Sequence, residues 1–163
     1  WQDLIQWCSK KNLMVGLIGA NKEKQKREYN SGNIEEILIE SFCNLDRKIL
    51  VDLRGKTNLL ELVGACEKAK AVITVDAGPL HIAANVGTPV MAIVGNDEKG
   101  IGASPIRLWI PERGNLSRTK SSFSCHLCME NKYKNDECLL DEHKCMEGVG
   151  SQQITEWLDE VLK

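Results

Sequence analysis

The chain has no excess of basic residues: 21 Lys and Arg stand against 23 Asp and Glu, for a net charge of −2. Nucleic-acid binders carry a positive patch that neutralises phosphates, so no nucleic-acid partner is expected. Long apolar runs are also missing. Those present, such as residues 71–75 and 89–94, are strand-sized, and nothing approaches the length that crosses a bilayer. The expectation is a chain that is not transmembrane. A basic-then-apolar start is absent too, so no signal peptide is expected in this sequence. The first residue is Trp1 rather than Met, so the sequence reads as an internal segment of a longer polypeptide. There is no internal repeat and no low-complexity tract.

What is present is one domain's worth of chain. Its 163 residues are 42% hydrophobic and 27% charged, the balance of a globular protein able to bury a core. Seven cysteines do not form the framework of a small secreted protein, and a domain of this size needs no staples. Cys8, Cys43 and Cys66 are scattered and read as small apolar core residues. Cys125, Cys128, Cys138 and Cys145 are bunched. A reducing compartment with one metal or redox cluster fits this distribution.

Strands and helices alternate along the chain. Trp1, Leu4, Ile5 and Cys8 have helical spacing over residues 1–11. Residues 13–18 are a short buried strand. The charge run 22–28 reads as a solvated helix face, and a second helix follows from Ile34 through Ser41 and Phe42. Residues 49–53 form the next strand. Asn58, with Glu61 three residues on, is an N-capping pair for a helix whose apolar face is Leu59, Leu62, Val63 and Cys66. Residues 71–75 are strand, 76–79 a turn, 80–86 a helix ended by Gly87 and Thr88, and 89–94 a strand closed by Gly95. Residues 106–110 are a further short strand. After Pro111 the pattern lapses into polar loop until Ile154, Trp157, Leu158, Val161 and Leu162 form a closing amphipathic helix.

Strands that are apolar on both faces and alternate with helices indicate a mostly parallel sheet covered on two sides, joined by right-handed crossovers. The fold class is therefore α/β, a Rossmann-like three-layer domain. It is expected as a single domain over 1–163, with a cysteine-containing loop region at 111–150 and a closing helix at 151–163. The chain opens on a helix where a doubly wound unit would open on a strand. The first strand is thus expected upstream of Trp1.

The segment Asp76-Ala77-Gly78-Pro79-Leu80-His81-Ile82-Ala83-Ala84 carries the chemistry. It lies where a strand ends and a helix begins, the edge at which open α/β sheets bind ligands. Gly78 allows close approach to the backbone. Pro79, near the start of the helix, sacrifices no bonded N–H. The amides of Gly78, Leu80 and His81 are then expected to converge on one spot. The helix dipole favours an anion there by about 0.3–2 kcal/mol per charge, which suits a phosphate or pyrophosphate. Asp76 either accepts hydrogen bonds from sugar hydroxyls or caps the helix. His81 is either a ligand contact or a satisfied buried histidine.

These residues, followed by Gly87-Thr88-Pro89 and Ile93-Val94-Gly95, resemble the signature of the ADP-heptose:lipopolysaccharide heptosyltransferases, glycosyltransferase family 9. The resemblance implies the carboxy-terminal, donor-binding half of a GT-B enzyme. The acceptor and the catalytic carboxylate then belong to a missing amino-terminal domain, and no catalytic residue lies in this segment. Residue by residue, Asp76 resembles the donor-sugar contact, and Ala77, Gly78, Leu80 and His81 the pyrophosphate cradle. Gly95 closes the next strand beside them. Glu23 resembles the glutamate that takes the ribose hydroxyls. Lys56, Thr57 and Leu59 fall where the family lines the adenine. The chain departs from the family at Ala77, where Ser or Thr is usual, and at Asn96, where Pro is usual. The family's phosphate-facing lysine would lie upstream of Trp1.

The four bunched cysteines, with Cys125 and Cys128 in a Cys-x2-Cys pair, have the spacing of a closed tetrahedral thiolate site. Such a site would be structural, with zinc first and iron as the alternative. It can supply about 10–16 kcal/mol of apparent binding energy. His126 and His143 are substitute ligands, and disulfides or free thiols are the competing readings. Related family members often carry a cysteine cluster ending in Cys-Met, as Cys145-Met146 does. A redox role fits least, since the pair lacks the strand-to-helix placement of a thioredoxin-like motif.

The implied function is donor binding in a transferase that moves a heptose-like sugar from an ADP-sugar to a lipopolysaccharide-type or other glycan acceptor. The segment alone would bind donor without transferring sugar, and no redox cofactor is expected. The implied location is cytoplasmic, with the inner face of the membrane as an option. The alternatives are a non-catalytic nucleotide-sugar binding module, favoured by Ala77 and Asn96, and a zinc-stabilised interaction module.

Overall fold

A computed structural model describes residues 1–20, 49–95, 112–123, 140 and 144–163. The expected helices at 22–28 and from Ile34 onward, the expected strand at 106–110, and Cys43 lie outside these residues. The chain forms two compact units, residues 1–62 and 63–163, whose boundary runs through one helix.

In the first unit, α1 (Gln2–Lys10) buries Leu4, Ile5 and Cys8 on one face, the stripe that its spacing predicts. The chain reverses through Asn12 at φ 54°, a left-handed conformation that Asn tolerates. The Leu13 amide returns to the Cys8 carbonyl at 2.9 Å. Strand β1 (Val15–Leu17) pairs in parallel with β2 (Leu50–Asp52), Val15 opposite Leu50 and Leu17 opposite Asp52. Ile5, Cys8 and Ile49 form the core here, with Trp7, Leu13, Val15 and Leu50 packed around it.

Helix α2 (Leu59–Lys68) starts with the expected capping box. Asn58 Oδ1 accepts from the Glu61 amide at 3.0 Å, and Glu61 Oε2 accepts from the Asn58 amide at 2.8 Å. The predicted apolar face is only partly right. Cys66 is 1% exposed, but Leu59 is 68% exposed and its neighbour Leu60 is 81% exposed. The first turn of α2 lies in the first unit, and its leucines present their side chains outward.

The second unit is built on three parallel strands in the order β3 (Val72–Val75), β4 (Val90–Ile93), β5 (Leu116–Thr119). Val72 pairs with Val90 and Val90 with Leu116; Val75 pairs with Ile93 and Ile93 with Thr119. Every residue of β4 is buried. Helix α3 (Gly78–Val86) crosses from β3 to β4, packs against both strands and buries Leu80, Ala83 and Ala84. It ends where predicted, because Gly87 takes φ 85°, a left-handed turn that glycine enters without a Cβ penalty. A one-turn helix, α4 (Lys144–Glu147), precedes the closing helix α5 (Ser151–Val161), which buries Ile154 and Leu158.

Strand β5 corrects the reading of a polar loop after Pro111. Leu-Ser-Arg-Thr has no apolar run, yet it completes the ladder of β4 from one side. Two polar side chains anchor this part of the sheet. Thr119, 3% exposed, donates to Gln153 Oε1 of α5. Asn115 Nδ2 donates to the carbonyls of Thr88 at 2.7 Å and Ala84 at 3.3 Å.

The Thr88 hydroxyl, buried beside the end of α3, donates to the Cys66 carbonyl at 2.7 Å and so ties α2 to the entry of β4. Thr88→Val keeps the shape and removes the donor, leaving a buried carbonyl unpaired. Urea unfolding should show a loss of about 1–3 kcal/mol, with Thr88→Ser recovering most of it.

Candidate functional site

The segment singled out by sequence leaves β3 at its carboxyl end. Ala77 is the N-cap of α3, with φ −152° and ψ 171° and no side-chain cap, and Pro79 lies in the first turn. The cap reading of Asp76 is therefore corrected: the helix starts one residue later than that role requires, and the exposed Asp76 precedes the cap. Of the turn expected at 76–79, Gly78 and Pro79 belong to the helix, while Asp76 and Ala77 precede it.

The amide set is corrected as well. The Leu80 N–H donates to the Ala77 carbonyl at 2.9 Å, so it is spent inside the first turn. His81 stands four residues beyond Ala77, the position of the first intrahelical donor. Pro79 has no N–H. Of the expected amides, Gly78 is left, with Ala77 beside it as the cap. Around Gly78 the space is open, and an added Cβ would meet nothing within 4 Å. No packing against the fold requires glycine there. The open backbone at a helix N-terminus is what a closely approaching anion needs.

His81 is half-buried on the same helix. Its carbonyl accepts from Asn85 Nδ2 at 2.8 Å, and Asn85 Oδ1 accepts from Arg113 Nη2 at 2.9 Å. Gly95 lies two residues beyond the end of β4. The place a Cβ would take there is 3.5 Å from Met146 Sδ and 3.7 Å from Cys145 Sγ. Asp76, Ala77, Gly78, Leu80, His81 and Gly95 all belong to the second unit. From sequence, Met146 was noted only as the end of the Cys145-Met146 pair and was given no place in the site.

Lys56, Thr57 and Leu59 belong to the first unit, at the turn between β2 and α2. Asp52, at the end of β2, organises this turn. Its Oδ1 accepts from the Arg54 amide at 3.0 Å and from Nε at 2.9 Å, and its Oδ2 accepts from Nη2 at 3.0 Å. Lys56 Nζ donates to the Asp52 carbonyl at 2.8 Å. Lys56 and Leu59 are exposed and Thr57 is half-buried.

Glu23 and Asn96 lie outside the described residues, as do Cys125, Cys128, Cys138, His126 and His143. Among the described residues no cluster of three or more His, Cys, Asp or Glu could hold a metal ion. Cys145 is a free, partly exposed thiol on α4. Cys8 and Cys66 are free and buried as the sequence suggests, and burial raises both thiols above their ordinary values. No helix among the described residues is long and apolar enough to cross a membrane.

Comparison with known proteins decides the family. The family model of glycosyltransferase family 9 (heptosyltransferase) matches residues 1–126. The chain belongs to glycosyltransferase family 9. Among curated relatives, lipooligosaccharide heptosyltransferase 2 of Haemophilus influenzae is 38% identical over 81 residues, which are 50% of this chain and 21% of that one. Lipopolysaccharide core heptosyltransferase OpsX of the same organism is 36% identical over 56 residues, 34% of this chain and 16% of that one. The matched stretches thus span about a fifth of these relatives or less.

Two solved structures share the fold. ADP-heptose lps heptosyltransferase II of E. coli superposes with a TM-score of 0.68 at 17% identity, covering 99% of this chain and 40% of that one. The family 9 glycosyl transferase from Veillonella parvula gives 0.52 at 16%, covering 99% and 51%. The α/β class with parallel strands, expected from the sequence, is thus the fold of family 9, a GT-B family.

The Asp52–Arg54 fork yields a test of the first unit. The Arg54 side chain donating to Asp52 holds its carboxyl below the ordinary carboxylate value; the Arg54 amide and the charges of Arg54 and Lys56 act in the same direction. A depressed folded value means that the contribution is fully present above the unfolded value near 3.8 and is lost as pH falls through the lower folded value. Asp52→Asn should therefore lower the urea midpoint at pH 7. The gap to the parent should close as pH falls below the ordinary value near 3.8 and through the lower folded value. A gap that stays constant from neutral to acid pH would assign the loss to something other than the charge.

Proposed function

We propose that this chain binds the donor in a glycosyltransferase that moves a heptose-like sugar from an ADP-sugar to a lipopolysaccharide-type glycan acceptor. The observation that carries the reading is the unobstructed backbone at Gly78, where α3 begins at the carboxyl end of β3. In the reaction, an acceptor hydroxyl attacks the anomeric carbon, the bond from that carbon to the diphosphate oxygen breaks, and the nucleoside diphosphate leaves. The amides at Ala77 and Gly78 stabilise the charge that gathers on the departing diphosphate. Asp76 accepts from the sugar hydroxyls.

Glu23 takes the ribose diol and Lys56, Thr57 and Leu59 line the base; these roles rest on resemblance to family 9. The acceptor and the carboxylate that deprotonates it belong, on this reading, to the other domain of a GT-B enzyme. This chain then acts as one donor-binding domain over 1–163. A cytoplasmic location follows from the same resemblance.

Cys125, Cys128, Cys138 and Cys145 suit a structural zinc by the chemistry of four thiolates. The free thiol of Cys145 is consistent with that role. Such a metal would fix the chain between β5 and α5, and no step of sugar transfer runs through it.

Calorimetric titration of the chain with ADP, UDP, GDP and CMP tests the donor reading. ADP should bind selectively. Gly78→Val, whose Cβ has nothing within 4 Å, should weaken ADP at least about tenfold, worth about 1.4 kcal/mol, at an unchanged melting midpoint. Absence of nucleotide binding, or a Gly78→Val variant that binds as well as the parent, sinks the reading.

A further inference from the structure

Two glycines bracket the short helix α4. Near Gly95, Met146 Sδ and Cys145 Sγ come to 3.5 and 3.7 Å of the place where a Cβ would stand. At the other end, a Cβ on Gly148 would meet the Lys144 carbonyl oxygen and the Ser121 Cβ, both at 2.9 Å. Only glycine lets the chain lie this close to Ser121. The turn is closed by the Gly148 amide donating to the Lys144 carbonyl at 2.9 Å and the Val149 amide to the Met146 carbonyl at 3.2 Å.

The register locates these contacts. Val75 pairs with Ile93, and Ile93 with Thr119. Two residues further along the same three strands come Ala77, Gly95 and Ser121. The Val94 amide still donates to the Thr119 carbonyl at 3.0 Å, so the ladder between β4 and β5 runs on past the last paired residues. Helix α4 therefore rests across the carboxyl ends of β4 and β5, and Ala77 stands at the end of the next strand. Adjacent strands are about 4.8 Å apart. A ligand on the Ala77 and Gly78 backbone would lie within a side chain's reach of Met146.

We infer that Met146 is a wall of the donor site that covers the apolar face of the sugar beside the diphosphate. The inference rests on the donor reading above and extends it to a residue outside the Asp76–Ala84 segment. A sugar ring presents C–H faces as well as hydroxyls. Asp76 suits the hydroxyls, and a polarizable, adaptable thioether suits the C–H face. Gly95 contributes no side chain between them. The close approach of Gly148 to Ser121 fixes the helix, as a specificity wall needs.

Methyl-labelled methionine gives four signals, from Met14, Met91, Met129 and Met146, assigned by single Met→Leu variants. Saturation with ADP-heptose should shift the Met146 signal, and AMP should shift it much less. Met146→Ala should weaken ADP-heptose about fivefold to tenfold and leave AMP binding unchanged, and Met146→Leu should restore the affinity. A Met146 signal that stays in place at saturation overturns the inference while leaving the donor reading intact. The same holds if Met146→Ala binds ADP-heptose as the parent does. If the parent chain fails to bind ADP-heptose, the donor reading falls and takes the inference with it. The signal measured on the parent chain decides the matter even if the alanine variant does not fold.

Discussion

Strand β4 has no solvent face. Val90 and Ala92 are fully buried, and Met91 and Ile93 nearly so. A backbone in that position must find hydrogen-bond partners on both sides and apolar cover above and below, because an unpaired buried amide is costly. β3 and β5 supply the partners, and α3 supplies cover. All three strands run the same way, so the chain must leave each of them at one edge and return from the other. That constraint brings Asp76–Gly78, Gly95 and Ser121 to the same end of the sheet, although they come from three separate stretches of sequence. The placement of the site follows from the need to bury β4.

The features legible in the sequence were those set by local chemistry. Apolar runs marked β1, β2, β3 and β4, the Asn58 and Glu61 spacing marked the start of α2, Gly87 marked the end of α3, and the stripe of Ile154 and Leu158 marked α5. Strand β5 was illegible because Leu116–Thr119 holds one apolar residue. What makes it a strand is the exposed ladder of β4, together with the bond from Thr119 to Gln153, 34 residues away. The outward-facing Leu59, read as part of the apolar face of α2, shows the opposite error. Helical spacing predicts which side chains share a face, but burial depends on what that face meets.

The same division runs through the site. The Asp76–His81 segment was found because Gly-Pro at a strand end has a local meaning. Its amides were misassigned because helix onset depends on a one-residue shift in where the first intrahelical bond falls. With Ala77 as the cap, the Leu80 and His81 amides fall within the first turn. Membership of family 9 agrees with the motif and says nothing about which donors remain. α4 could not be placed from sequence, because it meets the sheet edge at Gly95 and Ser121, far from it along the chain. Both are small residues whose value lies in what they leave room for.

Asn115 has a consequence for how this architecture can vary. Its side chain grips the carbonyls of Ala84 and Thr88 at the entrance to β4, and Arg113 reaches Asn85 beside it. The chain leaves β4 at Gly95 and is clasped again at Arg113 and Asn115 before β5 begins. Among the described strands, the one poorest in apolar residues is thus the one whose entry is fastened by side chains, so Leu116–Thr119 can change in sequence while Asn115 keeps its place beside β4.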